Sequence, residues 1–252
     1  MTGTLIRRAT HASPSAPKTF SETEVFFCPE ESHFYSHCLE RLVFSNCRET
    51  ETVIEFGAGD GSPIINALMR TRFDSVVHGY ELNPSAVEVA RSRVEEYELQ
   101  HKYVLHNESF YDADRPDAHY LIANPPYLPA PDNQICMPLL HGGCDGAKIT
   151  NTLLTLDCPS VMVLVSSYSN PIETLELAFE NGYYVTDFMV TPLQFGYYSS
   201  EPKVRNTIDE LREAGKAFFS QNIYFLAGVL FKKQHLAQTD ITKELTQVLT
   251  SL

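Results

Sequence analysis

The stretch VIEFGAGDGS, residues 53–62, decides the fold of this chain. A mostly apolar strand runs into Gly57, Gly59 and Gly61, and a helical pattern follows. Glycines at such a turn permit a sharp reversal and let a ligand approach the backbone where a Cβ atom would otherwise stand. A tight strand-to-helix turn would also need glycine, so the ligand-binding interpretation depends on the neighbouring strands.

The next two predicted strands carry polar residues at their carboxyl ends. Glu81 ends the second strand, where an acid can accept hydrogen bonds from both hydroxyls of a ribose. Glu108 and Phe110 follow the third strand and can contact an adenine, although a surface acid and a core aromatic would look the same. The GxGxG spacing favours S-adenosylmethionine over a dinucleotide, because S-adenosylmethionine has no pyrophosphate.

Strand and helix patterns alternate after about residue 50, which predicts a parallel sheet with crossover helices. The predicted strands are 52–56, 75–81, 102–106, 119–123 and 161–166, and the predicted helices are 63–70, 84–99, 147–156 and 171–181. Two further apolar runs, 183–191 and 222–232, predict a C-terminal antiparallel strand pair. The predicted fold is therefore α/β and Rossmann-like, with a seven-stranded, mostly parallel sheet and helices on both faces.

The fourth strand ends in the tetrapeptide Asn124-Pro125-Pro126-Tyr127. Two prolines stop the strand and hold the backbone rigid. The Asn124 side-chain oxygen and a proline carbonyl can then accept two N–H bonds from one NH2 group. This draws a planar nitrogen toward a tetrahedral shape and points its lone pair at a sulfonium methyl. We predict catalytic roles for Asn124, Pro125 and Tyr127, whose ring can stack on the acceptor or contact the sulfonium; the alternative is a proline-rich loop.

With EFGAGDG at 55–61, Glu81 and NPPY in this order, the chain resembles class I methyltransferases of the NPPY type. VFFCPEESHF at 25–34 and LHGGCDGAKI at 140–149 resemble segments of protein-glutamine N5-methyltransferases. The resemblance implies S-adenosylmethionine as cofactor and a methyl acceptor at Asn124, Pro125 and Tyr127. The implied cofactor-binding residues are Glu31, Ser32, Glu55, Gly57, Gly59, Gly61, Glu81, Glu108, Phe110 and Asn124.

The chain departs from those enzymes before and after the shared region. Only about 50 residues precede the fold, and LQFGYYSSEP at 193–202 and the polar stretch 201–219 are unlike the family. These segments, with residues 168–171, would lie beside the acceptor pocket, so the substrate of the family is not inherited. Tyr197 and Tyr198 either pack in the core or form part of a cage over the sulfonium.

The predicted organisation has four parts. Residues 1–20 form a disordered arm, 21–50 a helical lid segment, 51–235 the S-adenosylmethionine-binding methyltransferase domain with an insertion at 193–220, and 236–252 a C-terminal helix. His33 and His37 have the i, i+4 spacing of metal ligands but lack a third ligand nearby, so no metal is expected.

Composition limits the partners. The chain has 19 Lys and Arg residues against 32 Asp and Glu residues, a net charge of −13, and no basic block, so direct binding of nucleic acid is not expected. No apolar run approaches the ~20 residues of a membrane span. Six cysteines without a CxxC pair predict a reducing, cytoplasmic environment. The oligomeric state is left open.

Three functions compete at this stage. The first is an N-methyltransferase acting on a planar nitrogen of a small molecule, peptide or protein. The second is a reaction in which the amine of the cofactor attacks its own carbon chain, giving a cyclic product and methylthioadenosine. The third is a non-catalytic module that binds the cofactor or supports a partner subunit.

Overall fold

The computed structural model describes residues 28–252 and contains one mixed sheet of eight strands. The strands are β1 (Val53–Phe56), β2 (Val77–Tyr80), β3 (Tyr103–His106), β4 (Tyr120–Ala123), β5 (Ser160–Ser166), β6 (Tyr183–Gln194), β7 (Phe219–Ser220) and β8 (Ile223–Lys233). Their order is β3-β2-β1-β4-β5-β8-β6, and β7 pairs with β8. β1 to β5 are parallel, whereas β8 is antiparallel to β5, β6 and β7.

The helices cover both faces of this sheet. They are α1 (Pro29–Cys38), continued by a π-helical segment (Leu39–Phe44), α2 (Ser62–Arg70), α3 (Pro84–Glu96), α4 (Lys148–Leu154), α5 (Pro171–Glu180), α6 (Pro202–Glu213) and α7 (Thr242–Leu249), with a short 3-10 helix at Pro138–Leu140. Buried residues of α1, α2 and α3 form one core with Val53, and those of α4, α5 and α7 form the other core with Ile54. The alternation along β1 sends its side chains to opposite cores.

Local sequence explains where the helices begin. Asn83 caps α3 because its Oδ1 accepts the Ser85 N–H at 3.0 Å, and Pro84 occupies the first helical position. Asp240 lies before α7 and accepts from both the backbone N–H and the hydroxyl of Thr242, at 3.0 and 2.6 Å. These two polar residues fix helix starts that the apolar periodicity alone leaves open.

The predicted α/β fold with its C-terminal antiparallel pair is confirmed, and the structure adds one strand to the predicted seven. The extra strand, β7, has only two residues, so it carries no strand-length apolar pattern. β6 continues to Gln194, two residues into the predicted insertion 193–220, because it pairs with β8 as far as Ile223. Within that insertion lies α6, which buries Val204 and Ile208.

The two ends of the chain differ in what the structure describes. The predicted arm 1–20 and residues 21–27 of the predicted lid segment lie outside the described residues. Residues 29–44 of the lid segment are helical and contribute Tyr35, Leu39 and Val43 to the core. At the other end, α7 occupies only part of the predicted helix 236–252. Among residues 28–252, no helix combines the length and the apolar character that crossing a membrane requires.

Candidate active site

The candidate site lies where the strand order reverses, at the carboxyl ends of β1 and β4. Phe56 of β1 is paired with Ala123 of β4, so Gly57 and Asn124 leave the sheet side by side. In open α/β sheets this crevice is the usual ligand site, because neighbouring connections leave it in opposite directions. The glycine turn and the NPPY tetrapeptide, separated by more than sixty residues in the chain, therefore meet through strand pairing.

The three glycines of the turn do not share one role. All have positive φ values, +73° for Gly57, +54° for Gly59 and +72° for Gly61. Among the described residues, a Cβ atom on Gly57 or Gly59 would meet nothing within 4 Å, so these two border open space. A Cβ atom on Gly61 would lie 3.1 Å from the Cβ of Ala90. Gly57 and Gly59 leave room for a ligand, whereas Gly61 allows α2 to pack against α3.

Glu81 is anchored beside this turn. One carboxylate oxygen accepts the Gly59 N–H at 2.9 Å, and the other accepts the Asn83 N–H at 2.8 Å. A carboxylate has about four lone-pair sites, so each oxygen can accept one more bond. Glu81 thus holds the glycine turn in place and still offers two acceptors to a ligand with vicinal hydroxyls.

A cavity of about 260 Å³ opens between the glycine turn and the ends of β2 and β3. We call it the cofactor cavity; its lining is Phe56, Gly57, Gly59, Tyr80, Glu81, Leu82, Asn83, Ala86, Glu108, Ser109, Phe110, Tyr111, Asn124, Pro126, Leu139 and Leu140. Phe110 is only 3% exposed and packs edge-on against the rings of Phe56 and Tyr80, so it is both a core residue and part of the wall. Among the described residues, the charged side chains that line the cofactor cavity, Glu81 and Glu108, are both acidic.

A second cavity of about 540 Å³ lies on the other side of Asn124. We call it the acceptor cavity; its lining is Cys28, Pro29, Glu30, Glu31, Asn124, Pro125, Tyr127, Leu128, Leu140, Tyr168, Pro192, Leu193, Gln194, Phe195, Gly196, Tyr197, Tyr198, Ser199 and Tyr224. Asn124 and Leu140 line both cavities, and the two prolines divide between them, Pro125 on the acceptor side and Pro126 on the cofactor side. The tetrapeptide is therefore the partition between the two cavities.

Asn124 carries an unused acceptor at this partition. Its side-chain Oδ1 is buried and has no hydrogen-bond partner among the described residues. Leaving a buried acceptor unpaired costs about 1–3 kcal/mol, so such groups are rare in folded proteins. An N–H group of a bound ligand would satisfy it.

The loop after the tetrapeptide fixes its position. A Cβ atom on Gly142 would lie 2.6 Å from the Cα of Tyr127 and 2.8 Å from the carbonyl oxygen of Pro126, so only glycine fits there. A Cβ atom on Gly146 would likewise lie 2.5 Å from the Tyr127 carbonyl oxygen. That carbonyl also accepts the Ser169 hydroxyl at 2.8 Å. The Gly-Gly-Cys-Asp-Gly stretch thus supports the tetrapeptide from behind rather than contacting a ligand.

Glu31 lines the acceptor cavity and not the cofactor cavity. Burial raises the pKa of its carboxyl, and the Tyr127, Cys28 and Asn124 side chains, in that order, oppose the rise. The nearby Tyr127 hydroxyl is itself buried and makes no well-formed hydrogen bond within residues 28–252. Glu31, Tyr127 and Asn124 therefore form one polar group at the boundary of the acceptor cavity.

Three predicted cofactor residues lie away from both cavities in the described chain: Ser32, Glu55 and Gly61. Glu55 is 1% exposed and points to the core opposite that of Ile54, where it accepts the hydroxyls of Tyr103 at 2.6 Å and Tyr35 at 3.4 Å. Burial raises the pKa of Glu55 to about 8, although the two tyrosines oppose the rise. Its position beneath the glycine turn makes it a support of the turn.

Solved structures that share this architecture include methyltransferases. A putative RNA methyltransferase from Pyrococcus horikoshii is 15% identical, with a TM-score of 0.56 over 86% of this chain and 90% of that chain. A geranyl diphosphate methyltransferase solved with S-adenosylmethionine is 12% identical, with a TM-score of 0.51 over 81% of this chain and 85% of that chain. The chain has a methyltransferase fold. No family model matches it, and no curated protein sequence does.

Within this fold, the acceptor cavity contains residues that sequence reasoning named and others that it missed. Tyr168 and the segment 193–199 were predicted beside the acceptor, and they line its cavity. Tyr224 was missed, because in the sequence it is one aromatic among the apolar residues of β8. Cys28 and Pro29 were also missed, since nothing local shows that the start of α1 reaches this cavity.

Proposed function

We propose that this chain is an S-adenosylmethionine-dependent methyltransferase that methylates a planar nitrogen of a small-molecule, peptide or protein acceptor. The observation that carries the proposal is the buried, unpartnered Oδ1 of Asn124 at the junction of the two cavities. A hydrogen-bond acceptor at that point serves a nitrogen that enters from one cavity toward a group held in the other. The methyltransferase fold and the resemblance of the NPPY motif support the same conclusion.

The cofactor cavity fits S-adenosylmethionine better than a dinucleotide. The open glycines Gly57 and Gly59 leave room at the backbone, and Glu81 offers acceptors for ribose hydroxyls. Glu108 and Phe110 are available for the adenine. Among the described residues no Lys or Arg lines this cavity, so a pyrophosphate would face two carboxylates without compensation. When bound there, S-adenosylmethionine would supply an electrophilic methyl group.

The residues of the chain prepare the acceptor nitrogen. Asn124 Oδ1 accepts one N–H of the acceptor, which localises the nitrogen lone pair and orients it toward the cofactor cavity. Pro125 and Pro126 have fixed φ angles, and Gly142 lies directly behind them. Asn124 Oδ1 is therefore held in place before the substrate arrives. Tyr127 provides a ring beside the planar group. The rate gain comes from positioning and fixed dipoles.

The two competing functions make different demands on the site. Self-cyclisation of the cofactor needs no space beyond the cofactor, whereas the acceptor cavity adds about 540 Å³ on the far side of Asn124. A non-catalytic module gains nothing from a buried unpaired acceptor that costs stability. Both features favour transfer of the methyl group to a separate molecule. Binding of nucleic acid is not part of the proposal, and the cytoplasmic location stays a prediction from the sequence.

Mass spectrometry tests the proposal. The enzyme is incubated with S-adenosylmethionine alone and then with nicotinamide, a glutamine-containing peptide or 4-aminobenzamide. We expect S-adenosylhomocysteine and a methylated product only when an acceptor is added. Methylthioadenosine formed without any acceptor would instead establish the cyclisation reaction.

The Asn124→Ala variant separates binding from chemistry. We expect turnover to fall by about 10²–10³-fold, the usual loss for one preorganised polar contact. The affinity for S-adenosylhomocysteine should stay within about threefold, because the unpaired oxygen serves the acceptor. Asn133→Ala is the matched control, since Asn133 is exposed in the loop after the tetrapeptide and lines neither cavity. Full activity in Asn124→Ala would contradict the proposal.

A further inference from the structure

In the described chain, the acceptor cavity is lined by two acidic side chains and by no basic one, and a bound cation would favour the ionised form of the buried Glu31 carboxyl. Glu30 and Glu31 are the side chains with formal charge among its described lining residues, and no Lys or Arg is present. Among the described residues, Glu31 faces a tyrosine, a cysteine and an asparagine, and no basic residue lines the cavity beside it. A carboxylate held in such surroundings is costly unless a positive group pairs with it. No basic side chain among the described lining residues pairs with Glu31.

Three buried tyrosines form the inner wall next to Glu31. Tyr127, Tyr168 and Tyr224 are 7%, 1% and 3% exposed, and their neighbouring ring centroids lie 5.9 and 4.7 Å apart. Burial raises the pKa of each hydroxyl, so the rings remain neutral phenols. Neutral aromatic faces attract cations, and the Tyr127 hydroxyl, which makes no well-formed hydrogen bond to the described residues, is a further acceptor for an N–H group.

The Phe195 ring attracts a further cation less strongly than the rings of the three tyrosines do. The guanidinium of Arg205 from α6 lies 4.2 Å from the centre of its ring, and the same guanidinium lies 4.7 Å from the centre of Phe219. A cation already on one face weakens the attraction of that ring for a second cation. The preference for positive charge is therefore concentrated at the tyrosine end of the cavity, beside Glu31.

We infer that the acceptor cavity selects a compact acceptor that presents its planar nitrogen to Asn124 and carries a positive charge toward Glu31 and the three tyrosines. Carboxylate- and phosphate-bearing acceptors are rejected, because nothing in the described lining neutralises them. The volume of about 540 Å³ suits a small molecule or one side chain rather than a folded surface. This inference rests on the proposed function and adds the charge class of its substrate.

Three aryl amines of the same shape test it. 4-Aminobenzamidine, 4-aminobenzamide and 4-aminobenzoate carry the same ring and amino group but a cationic, neutral or anionic para substituent. Their binding is measured by calorimetry with the enzyme saturated with S-adenosylhomocysteine. We expect the amidine to bind about 10-fold or more tightly than the amide, and the benzoate to bind more weakly than the amide.

Two matched variants locate the effect. In Glu31→Gln the amidine and the amide should bind within about threefold of each other, because the charge partner is gone and the shape is kept. Glu30→Gln removes the same charge one residue away, on an exposed side chain that solvent screens, and should keep the order of the three ligands. The affinity of Glu31→Gln for S-adenosylhomocysteine should remain within about threefold.

The outcomes separate this inference from the proposed function. Failure of the wild-type enzyme to bind S-adenosylhomocysteine would overturn both. Normal S-adenosylhomocysteine binding, with the benzoate bound as tightly as the amidine or with none of the three amines bound at millimolar concentration, would overturn the inference alone. A large loss of S-adenosylhomocysteine affinity in Glu31→Gln would assign this carboxyl to the cofactor and overturn it as well. The wild-type ligand series remains decisive if a variant fails to fold.

Discussion

The cofactor cavity and the acceptor cavity share Asn124 but are built in different ways. The cofactor cavity comes mainly from short segments at strand ends, with Gly57, Gly59 and the anchored Glu81 in its lining. The acceptor cavity is assembled from side chains of α1, the NPPY loop, the end of β6 and β8. The first is a property of local motifs and the second a property of tertiary packing. A substitution that disrupts one cavity should therefore leave ligand binding in the other cavity measurable.

The largest expected effect belongs to the glycine turn. Gly59→Val should weaken S-adenosylhomocysteine binding by at least about 100-fold and abolish turnover, because its side chain would fill the open space beside Glu81. Calorimetry measures the binding. Gly182→Val is the matched control: Gly182 also has a positive φ, +77°, and open space, but it lies at the α5–β6 turn. If both variants retain equal affinity, the turn does not border the cofactor.

A smaller effect on turnover is expected from the glycine loop that packs against the NPPY tetrapeptide. Gly142→Ala should lower turnover by about 10–100-fold, because a Cβ atom would push the backbone of Pro126 and Tyr127 out of place. S-adenosylhomocysteine affinity should change by only about threefold. Gly215→Ala is the control, since a Cβ atom there would meet nothing within 4 Å among the described residues, and Gly215 follows α6 and lines neither cavity. Equal turnover in the two variants would show that the loop does not position the tetrapeptide.

These two tests follow the division between what the sequence predicts and what it does not. Gly57, Gly59, Glu81 and Asn124 were predictable because each lies at or within three residues of the end of a predicted strand, and parallel strands end at the same edge. Tyr224 was not, because an aromatic in a buried strand looks like any core residue until the strand order is known. The charge class of the acceptor cavity required the same information.

Glu55 shows where a motif match predicts more than the structure supports. Its motif position implied cofactor binding, yet strand alternation turns it to the face opposite Phe56, which does line the cofactor cavity. A motif match gives the place of a residue along the chain, whereas the pleat decides which core its side chain enters. Glu55 therefore belongs with Tyr35 and Tyr103 beneath the turn.

The smallest expected effect is on stability and comes from Glu55. Its pKa is raised from 4.5 to about 8, so the folded state holds this proton more tightly than the unfolded chain. The stability of the wild-type protein should therefore fall as pH rises from about 4.5 to 8 and level off above. Glu55→Gln has no titrating group at this position. The decrease in its Tm over this range should therefore be smaller than the decrease in the wild-type Tm, by about 2–4 °C or more.

Thermal unfolding of both proteins at pH 5, 7 and 9 measures this difference. The variant should also bind S-adenosylhomocysteine within about threefold of the wild type, since Glu55 lines neither cavity in the described chain. Parallel Tm curves for the two proteins would contradict the raised pKa of Glu55, and a large loss of affinity would return Glu55 to the cofactor site.

A crystal structure of the complex with S-adenosylhomocysteine tests the division of the two cavities most directly. The account predicts the adenosine between Gly57, Gly59, Glu81 and Phe110, and the acceptor cavity beyond Asn124 still open to a second molecule. Density for the adenosine among Tyr127, Tyr168 and Tyr224, on the other side of Asn124, would contradict it.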